Sequence, residues 1–461
     1  MSRKMPFIGP LACAVSLSLL LIMAGRGLFV SLFEDDLMNL YWYWEQSPLQ
    51  LVRWNLFVWE GHYRPLGAAL YVPLFSIWGL NPLPYRLVCF GLLAGNIILA
   101  YSFAKRVLES AACAAVAVIL FAYHPFFTDL YYSTATIYDL IGFSCFYATL
   151  TLYLRWRPAG RLKAGQLFLL AVLVFLGANA KELLIFVPVV LAALELSVLA
   201  KPERDWRAAW MLALTAALVV IPRILVGDKM AGNPAYTPNL SHAVPNAQHY
   251  LSLILLRPDG VRLGIVALFA CLVLAMAWFS RSGRVRATAL VAVLCPVPVL
   301  LIDPRSPYVL YIPYLALLVV MVSPLRALVK DRRLAVICLL AATVVVYRLG
   351  REWRPAADAW LDREASNVPR ILAPLRAGRI APGPGVRIYF SSDPFDVDNW
   401  VLVFAYRIWF RDTNRAVLRQ KRKDQADLAA DCVVSFEHWR LEVDPRTLRA
   451  CDGNRARGTQ P

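Results

Sequence analysis

Apolar runs of membrane-spanning length, separated by short polar clusters, set the pattern of this chain. The first covers residues 7 to about 30, and others fall at about 84–104, 110–128, 137–154, 164–180, 183–200, 207–226, 259–280, 287–302, 307–324 and 334–350. A helix crosses a bilayer with about 20 mostly apolar residues, so about eleven transmembrane helices are predicted. Residues 31–65 break the pattern. Acids come first, then Leu40-Tyr41-Trp42-Tyr43-Trp44 and the aromatic stretch 51–59, an amphipathic order that places helices in the headgroup layer.

Segment 65–80 has the composition of a span. Yet about 16 residues at about 1.5 Å each reach only about 24 Å of the roughly 30 Å core, and Pro73 sits in its middle. Loop charge decides its placement. If it crosses, Lys105 and Arg106, the cluster Arg155, Arg157, Arg161 and Lys163, and the trio Arg281, Arg284 and Arg286 all fall outside, against the positive-inside rule. If it lies in the interface, every basic cluster falls inside. This second reading puts the N-terminus in the cytoplasm and makes 31–83 the first outer loop of a bacterial inner-membrane protein.

From 351 to 461 apolar residues thin out and Pro, Arg and Asp rise, which predicts a soluble tail on the outer, periplasmic side. Stretches 386–390 and 432–436 read as strands and 399–410 as an apolar helix between them, a small α/β domain. The predicted architecture is an all-α multi-pass membrane domain, 1–350, with interfacial helices in its first outer loop and a C-terminal domain, 351–461. No repeat of 20–50 residues is visible, which excludes solenoids and propellers.

Composition sharpens this picture. With 59% apolar residues and a mean hydropathy of +0.54, the chain is not an ordinary soluble protein. Its net charge of +17 resides in short clusters between apolar runs, where it orients helices, so nucleic acid is not an expected partner and membrane lipids are. Seven of the nine cysteines lie in apolar runs, without metal-ligand spacing. Cys432 and Cys451 share the outer tail and are expected to pair in an oxidising compartment.

By this topology the outer helix ends collect Glu34, Asp35, Asp36, His62, Arg64, His124, Asp129, Asp139, Lys181, Glu182, Arg223, Asp303 and Arg305. Carboxylates beside basic residues at a bilayer edge suit a reaction on a lipid-borne anion, the acid taking a proton while Arg or Lys holds a phosphate. Plainer roles compete. Asp35 and Asp36 can cap an interfacial helix beginning at Leu37 and Asp139 can cap a later helix, Asp129 can be a solvated loop acid, and His62 with Arg64 can anchor in headgroups. Lys181-Glu182 can be a snorkelling turn, Arg305 can pair with Asp303, and His124 can be a satisfied interfacial histidine.

Several motifs carry a family resemblance. Asp35-Asp36 follow the first span, His62-Tyr63-Arg64-Pro65-Leu66 follows the interfacial segment, Gly79 to Arg86 reads G-L-N-P-L-P-Y-R, Asp139 opens a later span, and Lys181-Glu182 opens another. In order and common side these resemble the GT-C superfamily of multi-pass glycosyltransferases that use polyprenyl-phosphate-linked sugars, in particular the protein O-mannosyltransferase and aminoarabinose-transferase branches. The Arg64, Gly79 and Lys181 stretches are closest to the membrane O-mannosyltransferases with tetratricopeptide repeats, but this chain lacks those repeats. The likeness covers roughly the first 200 residues.

The resemblance implies an inverting transfer from a polyprenyl-phosphate sugar to a lipid or glycan acceptor at the periplasmic face. Asp35 would deprotonate or orient the acceptor hydroxyl, and Asp36 and Asp139 would hold the acceptor or a divalent cation. Arg64, Lys181 and Arg305 would bind the lipid phosphate, with His62 and Glu182 on the substrate side. A flippase of lipid-linked saccharide and a non-catalytic scaffold are the alternatives; a transporter would favour midplane sites and repeated halves.

Overall fold

The computed structural model describes residues 7–52, 66–198, 203–226, 237–397, 399–422, 425 and 430–452. The membrane part is helical. It runs through α1 (Ile8–Ala24), α2 (Glu34–Trp44), α3 (Pro48–Val52), α4 (Leu66–Trp78), α5 (Pro82–Leu108), α6 (Ala111–Phe121), α7 (Thr128–Tyr132) and α8 (Ile137–Trp156). It continues with α9 (Ala164–Ala178), α10 (Val187–Val198), α11 (Arg207–Val226), α12 (Ala243–Ile254), α13 (Leu263–Phe279), α14 (Gly283–Leu294), α15 (Val297–Leu300), α16 (Tyr311–Val322) and α17 (Arg332–Arg376). Each of the eleven predicted stretches contains helix among its described residues. Among the described residues six helical stretches are long and apolar enough to cross by themselves: Ile8–Phe29, Pro82–Leu108, Thr134–Ala159, Gly283–Leu300, Pro307–Arg326 and Arg332–Arg376.

Helix α4 has 13 residues, about 20 Å at about 1.5 Å per residue, and with α6, α9 and α13 it is one of the shorter apolar helices. It lies against α2, with Tyr71 stacked on Tyr43 at 5.9 Å.

The two ends of the bundle differ in chemistry. At one end the basic loops meet. Arg284 donates to Arg106 O and pairs with Glu109, both at 2.9 Å, and Arg326 reaches the same Glu109 at 3.3 Å. Arg157 is buried against Glu195 at 2.6 Å. The Asp205 backbone N–H donates to the second Glu195 oxygen at 2.9 Å. At the other end lie α2, α4, α7 and the C-terminal unit. Loops assigned to one side by charge thus converge in space.

Helix α17 extends the predicted span at 334–350 without a break to Arg376. The drop in hydropathy near 350 does not end the helix, and its C-terminal half is held by packing. Phe33 meets Trp360 edge-on at 5.7 Å, Ser31 Oγ donates to Ala365 O at 2.7 Å, and Arg26 pairs with Asp362 at 2.6 Å.

Beyond α17 stands a four-stranded sheet of β1 (Ile388–Ser392), β2 (Val417–Arg419), β3 (Cys432–Glu437) and β4 (Arg440–Val443), in the order β2-β1-β3-β4. β1 is parallel to both β2 and β3, while β3 and β4 form an antiparallel hairpin. Helix α18 (Val401–Phe410) crosses from β1 to β2, and α19 (Leu448–Cys451) follows β4. The two predicted strands and the helix are present. The short strands β2 and β4 have too little alternation to be read from sequence. Cys432 and Cys451 are disulfide-bonded, Cα to Cα 5.0 Å, tying α19 to the sheet.

Candidate active site

The three acids after the first span lie inside the first turn of α2, with Phe33 as its extended N-cap residue. Sequence reading starts this helix at Leu37. The structure starts it three residues earlier, where carboxylates oppose the positive end of the helix dipole. Successive helical residues point about 100° apart, so the three acids face three different surroundings.

Asp36 faces the core and is fully buried. Its Oδ1 accepts from Ser133 Oγ at 3.1 Å and Ala135 N at 2.8 Å. Its Oδ2 accepts from Phe33 N at 2.9 Å and from Arg86 at 3.3 Å. Arg86, 1% exposed, also donates to Ser31 O at 2.6 Å and lies over the Phe33 ring at 5.2 Å. With four donors and no solvent, this carboxylate has no site left for an acceptor or a cation. The expectation that Asp36 binds substrate or metal is therefore replaced by a structural one.

The G-L-N-P-L-P-Y-R motif is what delivers Arg86. Gly79 takes the left-handed conformation at φ +56, and the Asn81 side chain caps α5 by accepting from Leu83 N at 3.2 Å, with Pro82 in the first turn. Tyr85 then donates back to Gly79 O at 2.8 Å. The next residue is Arg86, one turn into the helix.

Glu34 faces the C-terminal unit, not the headgroup layer. It accepts from Asn367 on α17 at 3.0 Å and from Asn399, before α18, at 2.7 Å.

Asp35 lies between these two. It is exposed to solvent and accepts no hydrogen bond from any described residue. Partial burial first, then the neighbouring charges of Asp36, Asp129, Glu34 and Glu364, push its pKa up to about 6.

Asp129, read from sequence as a solvated loop acid, belongs to the same surroundings. Burial raises its pKa, while a hydrogen bond from Ser306 works in the opposite direction. Ser306 follows Arg305, whose backbone N–H donates to Tyr250 Oη at 2.9 Å. Two residues further on, Tyr308 lies 5.8 Å from Lys181 Nζ, and Lys181 pairs with Asp139 at 2.6 Å. A Cβ on Gly142, one turn after Asp139, would come within 2.6 Å of Lys181 Cβ, so this glycine is what allows the lysine to lie against α8. Asp139 and Lys181 are both buried, and a buried pair is costly to separate. Asp139, expected to hold acceptor or cation, instead holds Lys181.

The described members of the predicted constellation thus share one end of the bundle: Asp35 and Asp36 on α2, Asp139 on α8, Lys181 before α10 and Arg305 before α16. Glu182, beside Lys181, is exposed. His62 and Arg64 lie outside the described residues. His124 is a packing residue, its ring against Phe127 at 4.8 Å and Tyr314 at 5.1 Å. Among the described residues no group of three or more Asp, Glu, His or Cys side chains is arranged to hold a metal ion, and Asp36 and Asp139 are each engaged by a cation of the chain itself.

Sequence reasoning missed the role of Arg86. A lone arginine within an apolar helix demands a buried acid partner, and that signal pointed to one of the two aspartates after the first span.

The chain has the fold of the GT-C membrane glycosyltransferases, the class its motifs resemble. It is similar to ArnT from Cupriavidus metallidurans, solved with undecaprenyl phosphate bound, with a TM-score of 0.55 and 12% identity over 93% of this chain and 92% of that one. It is also similar to the oligosaccharyltransferase of Archaeoglobus fulgidus in complex with zinc and sulfate, with a TM-score of 0.50 and 12% identity over 93% of this chain and 67% of that one. The family model of the YfdI N-terminal transmembrane domain matches residues 86–234. None of the curated proteins matches the chain in sequence. At such identities the likeness is one of fold, and a fold alone does not assign an activity.

Proposed function

We propose that this protein is an inverting membrane glycosyltransferase that moves a sugar from a polyprenyl-phosphate donor to a lipid or glycan acceptor on the outer face. The observation that carries this reading is Asp35: a solvent-reached carboxylate without a hydrogen-bond donor among the described residues, fixed between two engaged acids, in a GT-C fold. The acceptor oxygen attacks C1 of the sugar as its proton passes to Asp35. The bond from C1 to the phosphate oxygen breaks, and polyprenyl phosphate leaves with the electron pair. A base with a pKa near 6 is ionised at neutral pH and still accepts a proton in the transition state.

The acids around Asp35 repel a phosphate, so the leaving group belongs at the Arg305 end of the site, with Arg64 as a further candidate, while Lys181 is buried against Asp139 and shapes that end. Asp139 keeps Lys181 in place. The basic loops at the far end support a cytoplasmic placement there and a periplasmic one for the site. Mass spectrometry of lipids and envelope glycans, from cells with and without the intact gene, tests the reading. The deletion should lack one glycosylated product and accumulate its polyprenyl-phosphate sugar; unchanged profiles would oppose it.

A further inference from the structure

Residues 31–41 are gripped from two sides. Asp36 ties them to the membrane core through Arg86, Ser133 and Ala135. Glu34 and Tyr41 tie them to the C-terminal unit. Both Glu34 oxygens are used, one by Asn367 and one by Asn399. The Tyr41 hydroxyl accepts from Arg407 of α18 at 2.6 Å, and the Tyr41 ring packs on Phe404 at 5.1 Å.

Asn399 is itself fixed. Its Oδ1 caps α18 by accepting from Val401 N at 2.8 Å, which leaves its Nδ2 for Glu34. Its carbonyl accepts from Arg419 of β2, and Arg419 is buried against Asp393 at 2.7 Å. A continuous set of contacts therefore runs from the sheet through Arg419 and Asn399 to Glu34, the residue before Asp35.

We propose that Glu34 is a positioning residue through which the C-terminal unit, by way of Asn367 and Asn399, sets the place of Asp35 in the reaction. This rests on the reading of Asp35 as the base. Its chemistry is specific. Two neutral amides hold the Glu34 carboxylate without cancelling its charge, so the clamp fixes the turn and leaves a negative charge beside Asp35. A lysine or arginine in their place would hold the turn equally well and remove that charge. Among the described residues, the charged groups acting on Asp35 are Asp36 and Glu34 on α2, Asp129 on α7 and Glu364 on α17. Glu34 is the one whose position the C-terminal unit controls.

The test is steady-state transfer by the full-length protein in detergent, from a polyprenyl-phosphate sugar, as a function of pH. Asn367→Ala/Asn399→Ala should lower kcat on the order of 10- to 100-fold, as expected for a misplaced catalytic group, with the donor KM near wild type and the melting temperature lowered only by loss of the Asn399 cap on α18. Glu34→Gln keeps the shape but not the charge, so it should move the acid limb of the pH profile to lower pH. If the alanine pair retains wild-type kcat and Glu34→Gln leaves the acid limb in place, while Asp35→Asn in the same assay is inactive, this inference is overturned and the role of Asp35 stands. If the alanine pair fails to fold, the pH profile of Glu34→Gln decides alone. An active Asp35→Asn overturns both.

Discussion

Replacing Arg86 with leucine strands the Asp36 carboxylate in a site without solvent. Asp36 would keep Ser133 Oγ, Ala135 N and Phe33 N as donors but lose its cation, and Ser31 O would lose its 2.6 Å bond. Breaking a buried pair from one side costs about 3–5 kcal/mol, and the lost carbonyl bond adds about 1 kcal/mol. Asp36→Asn should cost a similar amount. Its oxygen can stay with Ser133 and Ala135, but its NH2 group then faces two donors, Phe33 N–H and Arg86. In the double variant the arginine no longer meets that NH2 group, so the combined loss should fall short of the sum by about 2 kcal/mol or more, within the range of coupled neighbours. The assay is denaturant unfolding of the four proteins in one detergent. An Arg86→Leu loss below about 1 kcal/mol, or strict additivity, would mean that water reaches the pair. Asp36 would then return as a candidate for direct chemistry.

Asp35 carries a pH prediction with a definite sign. As a base it must be ionised, so kcat/KM should be level at pH 7 and fall about tenfold per unit below its pKa of about 6; an acid limb near pH 4 would remove the influence of the neighbouring acids from the account. The folded-state pKa is raised above that of the unfolded chain, so the ionised group destabilises the fold above pH 6, and this penalty fades as pH falls through 6. Asp35→Asn should accordingly melt at or above the wild-type temperature at pH 7, and a lower melting point would contradict this. Single cysteines at Ser241 and Arg281, both exposed, in a background with the unpaired cysteines replaced, should differ in intact spheroplasts. An impermeant reagent should label position 241 and spare 281, and the reverse would invert the orientation.

The membrane architecture was legible because it is written in composition. The apolar stretches contain helix among their described residues, and six of the helical stretches are long and apolar enough to cross by themselves. What lay beyond sequence was the pairing. Asp35 and Asp36 are adjacent and chemically identical, yet one is open and the other fully engaged, because a helix turns them apart and Arg86 arrives from 50 residues downstream. Asp139 and Lys181 each carry a charge that reads as available. That they cancel one another depends on how α8 and the Lys181 loop approach, which a glycine at 142 permits but does not announce. The role of Glu34 was hidden for a related reason: its partners, Asn367 and Asn399, are neutral residues more than 300 positions away.

The central claim is that Asp35 performs proton transfer in sugar transfer from a lipid phosphate. The direct measurement is in-vitro turnover of a polyprenyl-phosphate sugar by purified wild type and Asp35→Asn, with melting temperature and donor binding measured on each. A general base contributes typically 10²- to 10⁴-fold. The account predicts a loss of that size with fold and donor binding intact, and near-normal turnover by Asp35→Asn would contradict it.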